Sequence, residues 1–211
     1  MSLTEDSILT DIEGLASAVD VATIESQNLT LSYAESGKVV SSASSGGEVA
    51  PAETISPPTV RFQGEAQKSY TLILTDPDAI SRASPIYREF IHWVCSDLTF
   101  SSDGTQTGTP THILPYIGPG PPHSSGLHRY VFLLYEQPSS ADVSSLAATF
   151  AGRGGKRAHL SATAAEVGLG PVAAIAWCQA QWDTSVDATH ESMGFVPPPC
   201  FQSPRQKGAA A

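Results

Sequence analysis

Residues 118–135 read GPGPPHSSGLHRYVFLLY. The second part, Tyr130–Tyr135, is aromatic or aliphatic at every position and has the length of a strand. The first part is a different kind of chain. Gly118 and Gly120, with Pro119, Pro121 and Pro122, make a rigid loop of open backbone. His128, Arg129 and Tyr130 then carry the chain from that loop into the strand.

Outward from this segment the same period recurs. Leu29, Leu31 and Tyr33 alternate. Val60–Phe62, Tyr70–Thr75 (YTLILT) and Phe90–Cys95 (FIHWVC) read as further strands, and Ala173–Trp182 alternates with Ile175, Trp177, Gln179 and Gln181 on one face. Residues 41–47 (SSASSGG) and 99–111 read as loops. Helical spacing marks Val143, Leu146, Ala147 and Phe150, capped by Ser140 or Asp142, and a second helix over 161–167 ended by Gly168. At the N-terminus Ile8, Ile12, Leu15, Ala16 and Val19 share one helical face. There Thr4 can cap, and Glu5 and Asp6 suit the positive end of the helix dipole. Short strands with irregular connections predict a mainly β fold with peripheral helices, an antiparallel sheet or sandwich rather than βαβ units. The expected layout is an amphipathic helical segment over 1–25, a domain over 26–196 and a loosely ordered, Pro- and Ala-rich tail over 197–211.

The chain has 211 residues, enough for one domain with its own core. Its net charge of −10 repels phosphate backbones and anionic lipid surfaces, so neither nucleic-acid binding nor charge-driven membrane binding is expected. The one dense basic spot, Arg153, Lys156 and Arg157, reads as a solvated Gly-rich turn. Three widely spaced cysteines do not suggest a disulfide framework, and with no basic, apolar leader they point to a reducing, cytoplasmic setting. No apolar run approaches the roughly 18 residues of a membrane span.

Familiar catalytic signatures are missing. There is no G-x-S-x-G elbow, GRGGKR (152–157) lacks the Ser or Thr of a phosphate loop, and His190-Glu191 has no second His at zinc-helix spacing. A second segment, TDPDAISRASPIYREFIHWV (75–94), carries chemistry of another sort. Asp76-Pro77-Asp78 follows directly on a strand, and Pro77 holds both carboxylates on a stiff corner. Arg82, Arg88 and Glu89 are ion-pair candidates, and His92 lies within an apolar strand. If the two segments converge, two acids, two histidines and a tyrosine line a small polar pocket with apolar walls. A neighbouring Asp raises an imidazole pKa. The imidazolium, a Tyr hydroxyl and loop N–H groups would hold a small anion by charge-assisted hydrogen bonds.

These residues also carry a resemblance. Asp76-Pro77-Asp78, Ser81-Arg82, Pro85, Tyr87-Arg88-Glu89 and His92-Trp93 resemble the first motif of the phosphatidylethanolamine-binding protein family, which includes the Raf kinase inhibitor protein. Gly118-x-Gly120-Pro121-Pro122 and Gly126 through Phe132 resemble its second. The N-terminal helix and Leu133–Pro138 are similar to its fungal-type carboxypeptidase inhibitor branch. The resemblance implies a central antiparallel sheet with a smaller second sheet. It implies a pocket for the phosphate of a phosphoethanolamine head group, built from Asp76, Asp78, Tyr87, His92, Pro122, His128 and Tyr130. No cofactor and no metal are implied. The function implied is regulatory and non-enzymatic: inhibition of a serine carboxypeptidase, or modulation of a signalling partner such as a kinase. A head-group binder or carrier without inhibitory activity is the alternative, and a metal-dependent hydrolase using the two Asp and two His residues is a further one. Ile80, Phe90 and His123 stand where the family often has Pro, Trp and Lys. The tail after Gly194 does not resemble the C-terminal helix of the animal members.

Overall fold

A computed structural model describes residues 7–65, 67–153 and 159–209. The central strand of the fold is the apolar run of the sequence. Strand β8 (His128–Gln137) lies between β4 (Ser69–Asp76) and β9 (Val172–Ala180) and is antiparallel to both. Its register sets Leu72 against Leu134, Leu74 against Phe132, and Val131 against Trp177. Beyond β4 come β5 (Phe90–Phe100) and the short β6 (Gln106–Thr107), and β7 (Thr111–Leu114) also pairs with β5. The smaller sheet is β2 (Val39–Ser41), β1 (Leu29–Ser32) and β3 (Thr59–Phe62), in that order.

Successive side chains of a strand point to opposite faces. In β8, Val131, Leu133 and Tyr135 enter one apolar cluster, and Tyr130, Phe132 and Leu134 enter the other. Both faces of this strand are therefore dry, which is why no polar residue interrupts its middle. The small sheet covers one face with Leu29, Leu31, Val40, Val60 and Phe62. Its own strands alternate buried and wet positions, as a two-sided sheet edge requires. Helices cover the other face with Ile8, Ile12, Leu15, Ile24, Phe150 and Leu160. The mainly β, antiparallel two-sheet architecture expected from the strand pattern is the one observed.

Two terminal expectations are corrected. Among the described residues the N-terminal segment is three short helices, α1 (Ile8–Asp11), α2 (Leu15–Ala18) and α3 (Val21–Ser26), not one. Ile12 and Val19 turn extended and Gly14 takes φ 77, so the chain bends across the sheet and buries Ile8, Ile12, Leu15 and Ile24 in the shared core. The apolar spacing was real, but tertiary contacts broke the helix. The buried Glu89 accepts the Glu13 N–H at 2.7 Å and the Leu160 N–H at 2.7 Å. Thr4, Glu5 and Asp6 lie outside the described residues, as do Lys156 and Arg157.

As far as Ala209 the tail is also ordered rather than loose. After α4 (Leu146–Thr149), α5 (Leu160–Glu166) and α6 (Ser185–Met193), the chain ends in α7 (Pro204–Ala209). Ser203 is fully buried and its hydroxyl donates to Asp187 at 2.6 Å. Helix α6 was not foreseen. Its apolar face is narrow, and its readable signals are Asp183, which accepts the Ser185 N–H at 2.8 Å, and Gly194 at φ 64 just past its end. No described helix is long and apolar enough to cross a membrane.

Candidate functional site

Antiparallel pairing brings the two sequence segments together. Asp76 closes β4 and pairs with Phe90 at the start of β5, while β8 begins at His128 opposite Ala180 at the end of β9. These four strand ends meet at one edge of the large sheet. The loop 115–122 and helix α6 close over them around a cavity of about 70 Å³. By the requirement of roughly 10–15 Å³ for one water, it has room for a small ion or a head group.

Five of the seven expected residues line this cavity: Asp76, Tyr87, His92, Pro122 and His128. The two carboxylates of the Asp-Pro-Asp corner part company. Asp76 Oδ1 accepts the Asp78 N–H at 2.7 Å, and its Oδ2 lies 2.8 Å from His128 Nδ1. Asp78 turns inward and is taken up by Arg129, whose N, Nε and Nη2 donate to it at 2.9, 2.9 and 2.6 Å. Asp78 is therefore a support for the site, not part of its wall. Tyr130 also stands behind the wall, fully buried, with its ring edge on His92 at 5.1 Å. Its hydroxyl oxygen accepts the Gly120 N–H at 3.1 Å, so that loop N–H is spent inside the protein and is not offered to an anion.

The histidines are shifted in opposite directions. Burial disfavours the charged form of His128, but the Asp76 carboxylate outweighs it and the imidazole pKa is raised. Burial dominates at His92 and pushes its pKa down to about 4, against the pull of Asp76. His92 is thus neutral, with Nδ1–H donated to the Ile117 carbonyl at 3.0 Å. His190, on α6, is lowered by burial as well. Its Nε2–H donates to the Gly120 carbonyl at 3.0 Å, and its Nδ1 accepts from Gln206 of α7 at 3.3 Å.

The remaining wall is apolar. Ile80 and Phe90, two of the departures from the family pattern, line it, together with Ile117, Met193 and Phe195. Sequence reasoning missed His190, Met193 and Phe195 because α6 itself was unread. His123 does not line the cavity; its ring packs on Trp182 at 4.7 Å. Arg153 donates to the carbonyls of Ile91, His92 and Pro115 at 3.1, 3.0 and 2.7 Å, so it braces the site's backbone instead of lying in a solvated turn. Among the described residues no group of three or more His, Cys, Asp or Glu side chains is placed to hold a metal ion.

Two expected results follow from these contacts. A Cβ at Gly118 would lie 2.5 Å from the Thr54 carbonyl oxygen, with Thr54 itself fully buried. Gly118→Ala is expected to cost about 1–3 kcal/mol in chemical denaturation, because backbone has to move. The second concerns pH. The folded pKa of His128 is raised, so its stabilisation is complete below the unfolded value of about 6.5 and is lost as pH rises through the folded value. The difference in unfolding free energy between the natural chain and His128→Asn is expected to shrink over that interval. A difference that grows with pH would contradict the assignment.

Fold and site together define a two-sheet β protein with a buried, hydrogen-bonded histidine–carboxylate pair lining a small apolar-walled cavity. Residues 24–176 match the family described as phosphatidylethanolamine-binding protein, and the chain belongs to that family. Among curated proteins it is 43% identical over 94 residues to Protein MOTHER of FT and TFL1 homolog 2 of Oryza sativa subsp. japonica. That match covers 44% of this chain and 51% of the rice protein, so the chain spans about half the length of this curated relative. Among solved structures, a carboxypeptidase Y inhibitor complexed with its cognate proteinase aligns with TM-score 0.64 at 25% identity, over 86% of this chain and 93% of that one. A phosphatidylethanolamine-binding protein from Plasmodium vivax aligns with TM-score 0.63 at 21% identity, over 86% and 96%, which speaks to the fold.

Proposed function

We propose that the chain is a regulatory binding protein whose main role is recognition rather than turnover, and that its cavity takes a small anion such as the phosphate of a phosphoethanolamine head group. The observation that carries this reading is the buried Asp76–His128 pair, 2.8 Å apart, in which the carboxylate favours the protonated imidazole at a cavity otherwise walled by neutral histidines and apolar side chains. The Tyr130 hydroxyl accepts one hydrogen bond, and its own hydrogen has no acceptor among the described residues.

The partner in this reading is a serine carboxypeptidase. It is supported by the alignment with the carboxypeptidase Y inhibitor, which extends through most of both chains. The buried, unpaired Cys95 and Cys178 suit a reducing, cytoplasmic setting. Because the N-terminal helices contribute to the core, full-length protein is the right reagent for the test. Inhibition of a serine carboxypeptidase by the full chain, together with calorimetric binding of O-phosphoethanolamine, supports both parts. Head-group binding without inhibition leaves the alternative, a binder or carrier, and absence of both sinks the proposal.

A further inference from the structure

Beyond its pairing with Asp76, His128 makes a second contact, to a serine hydroxyl. Its Nε2 lies 2.9 Å from the Ser125 hydroxyl, while Nδ1 lies 2.8 Å from Asp76 Oδ2. Asp76 is in turn fixed by the Asp78 N–H at 2.7 Å. The order is hydroxyl, imidazole, carboxylate and orienting backbone donor, each within hydrogen-bond reach of the next. We propose that Ser125, His128 and Asp76 form a hydrolytic relay, with Ser125 as a nucleophile toward small activated carboxylic esters.

The surroundings fit that role. His128 and Pro122, the two hydrogen-bond partners of Ser125, both line the cavity, so the hydroxyl stands at its margin. Ser125 is half-buried, and Gly126 beside it is exposed, with φ 83 and open space where a Cβ would be. A carbonyl can therefore approach the hydroxyl from outside. The Gly126 N–H carries no hydrogen bond among the described residues. It is the donor next to the nucleophile, where an oxyanion would form. Ser125 and His128 sit on the Gly/Pro loop and the first residue of β8, so the pair is held by rigid backbone.

The chemistry balances without any added cofactor. Ser125 Oγ adds to the ester carbonyl carbon while its proton passes to His128 Nε2. The carbon–oxygen bond to the leaving group breaks, and the departing oxygen takes that proton. Water, deprotonated by His128, then adds to the acyl-serine, and the carboxylic acid leaves as Ser125 regains its proton. In the imidazolium state Nε2–H donates to Ser125, whose own hydrogen goes to the Pro122 carbonyl at 2.7 Å. Loss of the imidazolium proton redirects the hydroxyl hydrogen to Nε2, so reactivity rises with pH through the His128 titration.

The test uses the full chain with a biotinylated fluorophosphonate, in which serine attack breaks the P–F bond, followed by peptide mapping. Labelling of Ser125 in folded protein is expected, with loss on heat denaturation. His128→Asn is expected to slow it at least about 100-fold, the lower end of a general base's contribution. Ser124→Ala is expected to leave it unchanged, and p-nitrophenyl acetate should be hydrolysed in parallel. No label on Ser125 in protein with native circular dichroism overturns the proposal, and so does labelling that His128→Asn does not slow. The readout needs no head-group affinity, so its failure is distinguishable from failure of the anion reading.

Discussion

Arg129→Ala is expected to lower the unfolding free energy by about 3–5 kcal/mol, the usual cost of stripping one partner from a buried ion pair. Arg129 is 1% exposed, and it satisfies both oxygens of Asp78. Removing the guanidinium leaves that buried carboxylate with only the half-exposed Arg82, its Nε 3.9 Å away, as a countercharge. The same guanidinium reaches Asp11 of α1 at 2.8 Å and the Ser7 hydroxyl at 3.3 Å. One side chain thus ties the strand that carries His128 to the Asp-Pro-Asp corner and to the N-terminal helices. Urea denaturation should show the loss, and proteolysis should show earlier cleavage near α1. The double change Arg129→Met with Asp78→Leu is expected to recover part of the stability, because it leaves no lone charge at that pair. If the single variant lost less than about 1 kcal/mol, the clamp would not be what joins these elements.

His128→Asn is expected to weaken O-phosphoethanolamine binding by roughly 10- to 100-fold while leaving the fold intact. The Asn amide can still donate to Asp76, which avoids an unpaired buried carboxylate. What disappears is the positive charge and the Nε2 donor. A hydrogen bond to a charged group contributes about 1.5–3 kcal/mol, which sets the range. His92→Asn should have a smaller effect, because burial keeps His92 neutral. Calorimetry on both variants separates the two histidines. Equal losses would mean that charge is not what the cavity contributes.

Much of this was readable in the residues, and the failures have physical causes. The strands were legible because Tyr130–Tyr135 and Tyr70–Thr75 are apolar throughout and the small sheet alternates. The convergence of Asp76 with His128 was legible as chemistry, but its geometry comes from pairing β4 with β8, a contact 52 residues apart in sequence. Asp78 and Tyr130 have the residue types of a site wall, yet hydrogen bonding turned both inward, to Arg129 and Gly120. The N-terminal helical face was real as an apolar stripe, but Gly14 and the reach of Glu89 broke the helix into three. Helix α6 escaped because the site residues there, His190 and Met193 on the helix and Phe195 just past its end, depend for their meaning on the tail that packs behind them.

The most direct test of the anion site is an NMR titration of the full chain with O-phosphoethanolamine, following the imidazole signals of His92 and His128. Saturable shifts of both, with His128 protonated above the usual histidine range, are the expected result. A folded spectrum in which neither imidazole responds would contradict the assignment of this cavity as an anion site.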